Sequence, residues 1–241
     1  MKFSYDMHIH SCLSPCGNTD MTPNNIINMC YIKGLNIIAI TDHNSMLNVE
    51  SIMKLGLEKD ILVIPGIEVT TKEEVHVCCY FYDLNDGIKF QDLIYDGLPD
   101  IKNNPLIFGN QEIRDMEDEL INEVDKLLIS STKYSLDDIN DMVKKYNGVM
   151  VPAHIDRKSF GMLAVLGFIP DGLDIYTVEL SKYFQDQNNI FNTDLSKYNI
   201  IKNSDAHYLR DINEPINFID IEQLNINSVL TYLTDTGGII A

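Results

Sequence analysis

The sequence predicts an α/β fold, a parallel sheet covered by helices, and three observations carry that prediction. Short apolar runs alternate with helix-like segments through most of the 241 residues. Helix start and stop signals fall between those runs. The histidines fall at the ends of the runs, where α/β folds build their sites.

The elements follow in order. Strands are expected near 5–9, 37–41, 62–67, 75–82, 149–153, 175–180 and 200–203, all short and largely apolar. The first helix is expected from Pro23 to Lys33, with Thr22 as N-cap, proline at the first helical position and Gly34 as the stop. Further helical patterns run from Asn48 to Glu58, Leu136 to Tyr146 and Asn225 to Leu233. Between residues 83 and 133 the pattern changes. Asp86-Gly87, Asp96-Gly97, Asn103-Asn104-Pro105 and Gly109-Asn110 read as turns, followed by an acidic run from Glu112 to Asp125. This segment reads as a partly helical acidic insertion within a single domain spanning 1–241, either a solvated surface or a substrate lid.

A hydrophobic fraction of 45% suffices for a full core. Eighteen basic against 36 acidic residues give a net charge of −18, which repels nucleic-acid backbones and anionic lipid at long range. Long nucleic acid is therefore not an expected partner, whereas a local cationic site for a phosphate is compatible with this charge. The N-terminus has no apolar run and no stretch reaches the length of a membrane span, so a cytoplasmic protein without a membrane partner is expected. Five cysteines, including the neighbours Cys78 and Cys79, do not form a disulfide pattern.

The chemistry is concentrated in the histidines. His8 and His10 are two residues apart, so on a strand both imidazoles face the same way and can hold one metal ion. His43, His154 and His207 each follow an apolar run, Glu68 follows another, and His76 stands at the edge of a further run. Singly, each is a common surface or capping residue. Together with Asp205 they collect imidazoles and carboxylates on one rim, too many for one ion. Two or three divalent transition-metal ions are expected, and a His-rich site with carboxylates suits Zn, Mn or Fe.

The series His8-Ile9-His10, Thr41-Asp42-His43, Gly66-Ile67-Glu68, Pro152-Ala153-His154 and Ser204-Asp205-Ala206-His207 resembles the PHP superfamily, named for polymerase and histidinol phosphatase domains. The resemblance implies a distorted (β/α)7 barrel with a di- or trinuclear site at its C-terminal rim. It implies that His8, His10, Glu68 and Asp205 hold a first ion, and that Glu68 bridges to a second held by His76 and His154. His43 and His207 would serve a third, with Asp42 behind the ligands as an orienting group. Where many members carry His or Asp after the first motif, this chain reads Ser11-Cys12-Leu13-Ser14-Pro15-Cys16-Gly17. Cys16 reads either as a replacement thiolate ligand or as a turn cysteine beside Gly17, and Asp20 is a further candidate.

Arg157, in the loop after His154, is placed to grip a phosphate in bidentate fashion or to form a surface ion pair; Lys182 and Arg210 are similar candidates. The function expected is a phosphatase or phosphodiesterase acting on a small phosphorylated metabolite or nucleotide through a metal-activated hydroxide. In it Asp205 orients the nucleophile, Arg157 stabilises charge and His207 protonates the leaving group. The alternatives are an exonuclease on short oligonucleotides, a non-catalytic metal-binding PHP module acting as a scaffold, and a carbon–nitrogen hydrolase on a similar barrel. The sequence leaves the oligomeric state open.

Overall fold

The computed structural model describes residues 1–184 and 193–235. The first half runs β1 (Lys2–Ile9), α1 (Pro23–Lys33), β2 (Ile37–Ile40), α2 (Val49–Glu58), β3 (Leu62–Thr70), β4 (His76–Phe81), α3 (Leu84–Gly97), α4 (Pro105–Phe108), β5 (Glu112–Arg114) and β6 (Leu120–Glu123). The second runs α5 (Leu136–Lys145), β7 (Gly148–Pro152), α6 (Met162–Leu166), β8 (Thr177–Leu180), β9 (Asn199–Lys202), β10 (Phe218–Asp220) and α7 (Ile226–Thr234).

Six strands form one sheet in the order β10-β1-β2-β3-β4-β7, while β8 pairs with β9 in parallel. The sheet curls into a half-barrel, so that Ile9 at the end of β1 meets Ala206 just past β9, and the Ile155 amide beyond β7 donates to the Glu179 carbonyl in β8. Strands β1, β2 and β3 run parallel, as expected.

The expectation of a wholly parallel sheet is corrected at β4, which runs antiparallel to both β3 and β7. The reason is the length of the link. Only residues 71–75 join β3 to β4, and a parallel crossover needs a dozen residues or more. At the far edge β10 also runs antiparallel to β1.

The capping signals act as the residue types require. The Thr22 side chain accepts from the Asn25 amide, Gly34 closes α1 at φ 74°, and Ser135 with Asp138 forms a capping box on α5. The segment expected to be an acidic insertion opens with α3, whose Phe90, Gln91 and Ile94 are buried in the core. Two of its supposed turns lie inside this helix. A Cβ at Gly87 would lie 2.7 Å from Met46 and one at Gly97 would lie 2.3 Å from the Tyr134 ring, so these glycines serve close packing. Beyond α3, residues 98–133 form α4, the β5–β6 hairpin and a small apolar cluster of Leu98, Val124 and Leu128 around Leu13. Among the described residues, no helix is long and apolar enough to cross a membrane.

Candidate metal centre

The rim at the C-terminal ends of β1, β2, β7 and β9 gathers the polar residues. His8 lies in β1 with His10 just beyond it, His43 follows β2 and forms a bridge with Glu68 of β3, and His154 follows β7. Asp205 and His207 lie past β9. His76 is the first residue of β4, and the reversed direction of that strand is what brings its leading end to this rim, paired with Thr70. His154 and Asp205 hold positive φ values of 28° and 50°, conformations that disfavour L-residues and that here turn the side chains inward.

Glu68 is the hub. Its Oε1 lies 2.9 Å from His76 Nδ1, 3.2 Å from His154 Nε2 and 3.3 Å from His8 Nε2. Its Oε2 lies 2.9 Å from His43 Nδ1 and 3.5 Å from His10 Nε2. On the other side, Asp205 Oδ1 is 3.1 Å from His10 Nε2 and 3.4 Å from His8 Nε2, and these two imidazole nitrogens stand 3.2 Å apart. Three overlapping sets converge here: His8, His10 and Glu68; His43, Glu68 and His76; and His10, His43 and His207. His43 thus sits against Glu68 as well as in the outer corner with His207.

This donor set fits divalent metal. An ion bound at about 2.1 Å holds its donors roughly 3.0–3.4 Å apart, the separation seen between His8, His10, Glu68 and Asp205. Buried Glu68 Oε2, which faces the imidazoles of His43 and His10, has no well-formed hydrogen bond, and a carboxylate oxygen so placed calls for a cation. Burial lowers His10, and positive His207 and His43 push it further below the ordinary range, leaving it a neutral donor. Burial would raise Glu68 and Asp205, but the surrounding histidines hold both carboxylates well below their usual range.

Behind the rim the ligands are fixed by buried groups. Both oxygens of Glu179 lie 3.0 Å from His8 Nδ1, and the same carboxylate accepts from the Asn203 side chain at 2.7 Å and the His154 amide at 3.2 Å. Asp42 does not join the cage. It accepts from Ser11 and Ser14, and the Ser14 hydroxyl in turn meets His10 Nδ1 at 3.0 Å and the His43 amide at 3.1 Å. Cys16 is exposed at the outer corner, where His43 and His207 act on its thiol.

Arg157 reaches the rim, where its Nη1 lies 2.6 Å from Asp205 Oδ2. Together with Lys158, Ser159 and Phe160 it walls a cavity of about 310 Å³ whose floor includes Glu68, His76 and His154. Asp20 is exposed and outside every candidate ligand set, while Lys182 and Arg210 do not line the cavity and lie over the rings of Tyr183 and Tyr208. Glu179, Lys158 and Phe160 were not anticipated from sequence. The signal for Glu179 was a carboxylate inside the four-residue apolar run Thr177-Val178-Glu179-Leu180.

The PHP domain profile matches residues 6–156, more than half of the chain. The chain belongs to the PHP domain family. This PHP chain is 27% identical over 86 residues to the 5'-3' exoribonuclease of Haemophilus influenzae, a match covering 34% of the chain and 30% of that enzyme. Its fold is similar to that of the lesion-specific endonuclease Q of Pyrococcus furiosus, with a TM-score of 0.71 and 18% identity over 99% of this chain and 57% of that one. It is also similar to a protein of Bifidobacterium adolescentis assigned as a metal-dependent phosphoesterase, with a TM-score of 0.55 and 16% identity, covering 95% of this chain and 94% of that one. The PHP chain therefore spans about half of endonuclease Q and less than a third of the exoribonuclease.

Proposed function

We propose that this PHP protein is a metal-dependent phosphoester hydrolase acting on a small phosphorylated metabolite or nucleotide. The observation that carries the reading is the cage of His8, His10, Glu68 and Asp205 opening onto a cavity walled by Arg157 and Lys158. In this reading the curled sheet is a (β/α)7 barrel. Two ions would be held by His8, His10, Glu68, Asp205, His76 and His154, and a third by His43 and His207 with Cys16. When bound, zinc, manganese or iron would polarise the phosphoryl oxygens and acidify water at neutral pH.

The remaining chemistry belongs to the side chains. Arg157 presents its guanidinium across the cavity mouth, where it binds phosphoryl oxygens and offsets the charge that builds in the transition state. Asp205, held ionised by the surrounding histidines, lies deep enough to orient the attacking water. Burial lowers His207, yet Cys16 and Asp205 raise it above its ordinary value, so with the third position empty it holds a proton at the cavity wall for the leaving alkoxide. Glu68 and the buried imidazoles exclude bulk water from the floor.

Alanine in place of His8 or Asp205 is expected to abolish turnover of a phosphoester panel by metal-supplemented protein while the circular dichroism spectrum is kept. Full turnover in either variant overturns the assignment. A second reading, trimming of short oligonucleotides, is favoured by the exoribonuclease match and by the fold shared with endonuclease Q, although the net charge of −18 opposes long strands. Comparing mononucleotides with oligomers as substrates separates the two.

A further inference from the structure

The cavity beside the cage is larger than a phosphoryl group requires, so part of it accommodates the organic side of the ester. Its lining is polar or charged with one exception. Among the described residues that line it, Phe160 alone is apolar. One face of the ring stacks on His76 at a centroid distance of 4.4 Å and 19° between planes, and the residue is still 41% exposed. Single exposed apolar residues are common on this surface, but Phe160 is the one placed in a polar cavity beside the cage, where a ligand can cover it.

The backbone makes the placement more specific. Phe160 sits at φ 60°, in the left-handed region that a bulky residue avoids, and its carbonyl accepts from the His76 amide at 3.0 Å. The next residue, Gly161, is packed so closely that a Cβ there would lie 2.3 Å from the Arg157 carbonyl oxygen. The loop is thus clamped with the ring displayed, and local packing does not call for its outer face. The same four residues carry Arg157 at one end, beside Asp205, and a flat apolar surface at the other.

We propose that the outer face of Phe160 is a stacking platform for a planar aromatic group on the substrate, so that the ester taken is an aryl or nucleoside phosphate and not a phosphorylated sugar or polyol. This deepens, and rests on, the phosphoesterase reading above. The phosphate lies toward Arg157 and the cage, and the ring lies over Phe160, held by the apolar and quadrupolar attraction that lets any nucleobase stack on an aromatic side chain. Edge-specific hydrogen bonds are not needed, so preference follows flatness and not base identity.

The test compares kcat/KM for phenyl phosphate and for glycerol 3-phosphate in metal-loaded wild type, Phe160→Leu and Phe160→Tyr. The preference for the phenyl ester is expected to fall about tenfold in Phe160→Leu and to survive in Phe160→Tyr, which keeps the flat ring. A preference unmoved in Phe160→Leu, or lost equally in Phe160→Tyr, overturns the proposal. Equilibrium dialysis with AMP and with inorganic phosphate gives a readout independent of turnover. Weaker AMP binding in Phe160→Leu, with phosphate binding held, supports the platform even if no phosphoester is hydrolysed. Equal AMP binding by wild type and Phe160→Leu removes it whatever the activity.

Discussion

Both carboxylate oxygens of Glu179 lie 3.0 Å from Nδ1 of His8, so the opposite nitrogen of that imidazole is turned into the cage. Glu179 also receives the His154 amide, which ties a residue from the β1 side of the rim to one from the β7 side. Glu179→Gln is therefore expected to weaken metal binding by about 10–100-fold, as loss of a carboxylate behind a ligating histidine does elsewhere. Titration with zinc against a chelating indicator measures this. Unchanged affinity would show that His8 needs no such support.

Arg157 and Asp205 form the tightest ion pair of the rim at 2.6 Å. Arg157→Ala removes a donor that lines the cavity, and under the proposed function kcat is expected to fall about 100-fold, with Arg157→Lys recovering part of the loss. Steady-state kinetics on one phosphoester decides it. A rise in KM alone would assign Arg157 to binding without transition-state stabilisation.

Cys16 differs from its fellows. Cys12, Cys30, Cys78 and Cys79 are buried, and burial pushes their thiols up, to about 12 for Cys12 and Cys78. Partial desolvation also pushes Cys16 up, but charge on His43 and hydrogen bonds with His207 and His43 outweigh it and bring the thiol down to about 6. Because the thiolate is the nucleophile, alkylation of chelator-treated protein should rise with pH, reach half its maximum at about pH 6 and level off above neutrality. Mass spectrometry should find the label on Cys16 alone, and zinc should slow its addition.

Helix α3 is a core element despite its acidic, glycine-containing sequence. Phe90 is fully buried and packs on Phe81 with ring centroids 5.1 Å apart. Phe90→Ala is expected to cost about 3–5 kcal/mol, read as a lower denaturant midpoint. A cost under about 1 kcal/mol would return α3 to the status of a surface insertion.

The parts of the site legible in the sequence were those that end strands. Two histidines with one residue between them, and a His, Glu or Asp directly after an apolar run, declare a shared face or edge by period alone, and His8, His10, His43, Glu68 and Asp205 do converge. Glu179 was hidden because a single acid in a four-residue strand is indistinguishable from a solvent-facing one until the opposing face is known. Phe160 was hidden because loop conformation, including its positive φ, leaves no periodic trace. The direction of β4 was missed, although the link expected at 68–74 was already too short for a parallel crossover, and α3 was obscured by glycines that serve packing.

The reversal of β4 also governs how the chain can change. Because that strand ends at the rim opposite the cage, α3 must climb back alongside the sheet, and it delivers residues 98–133 to the cage side, where the Thr132 amide donates to Thr70 and the Glu112 amide to Cys12. Descent through α5 then restores the register for β7. The excursion is thus held at both ends by helices that pack on the sheet, and between them the Asn44 side chain donates to the Leu128 and Ser130 carbonyls and that of Asn48 to the Glu112 carbonyl, so it braces the loops next to His10 and His43. A change of length there reaches the ligands through those loops.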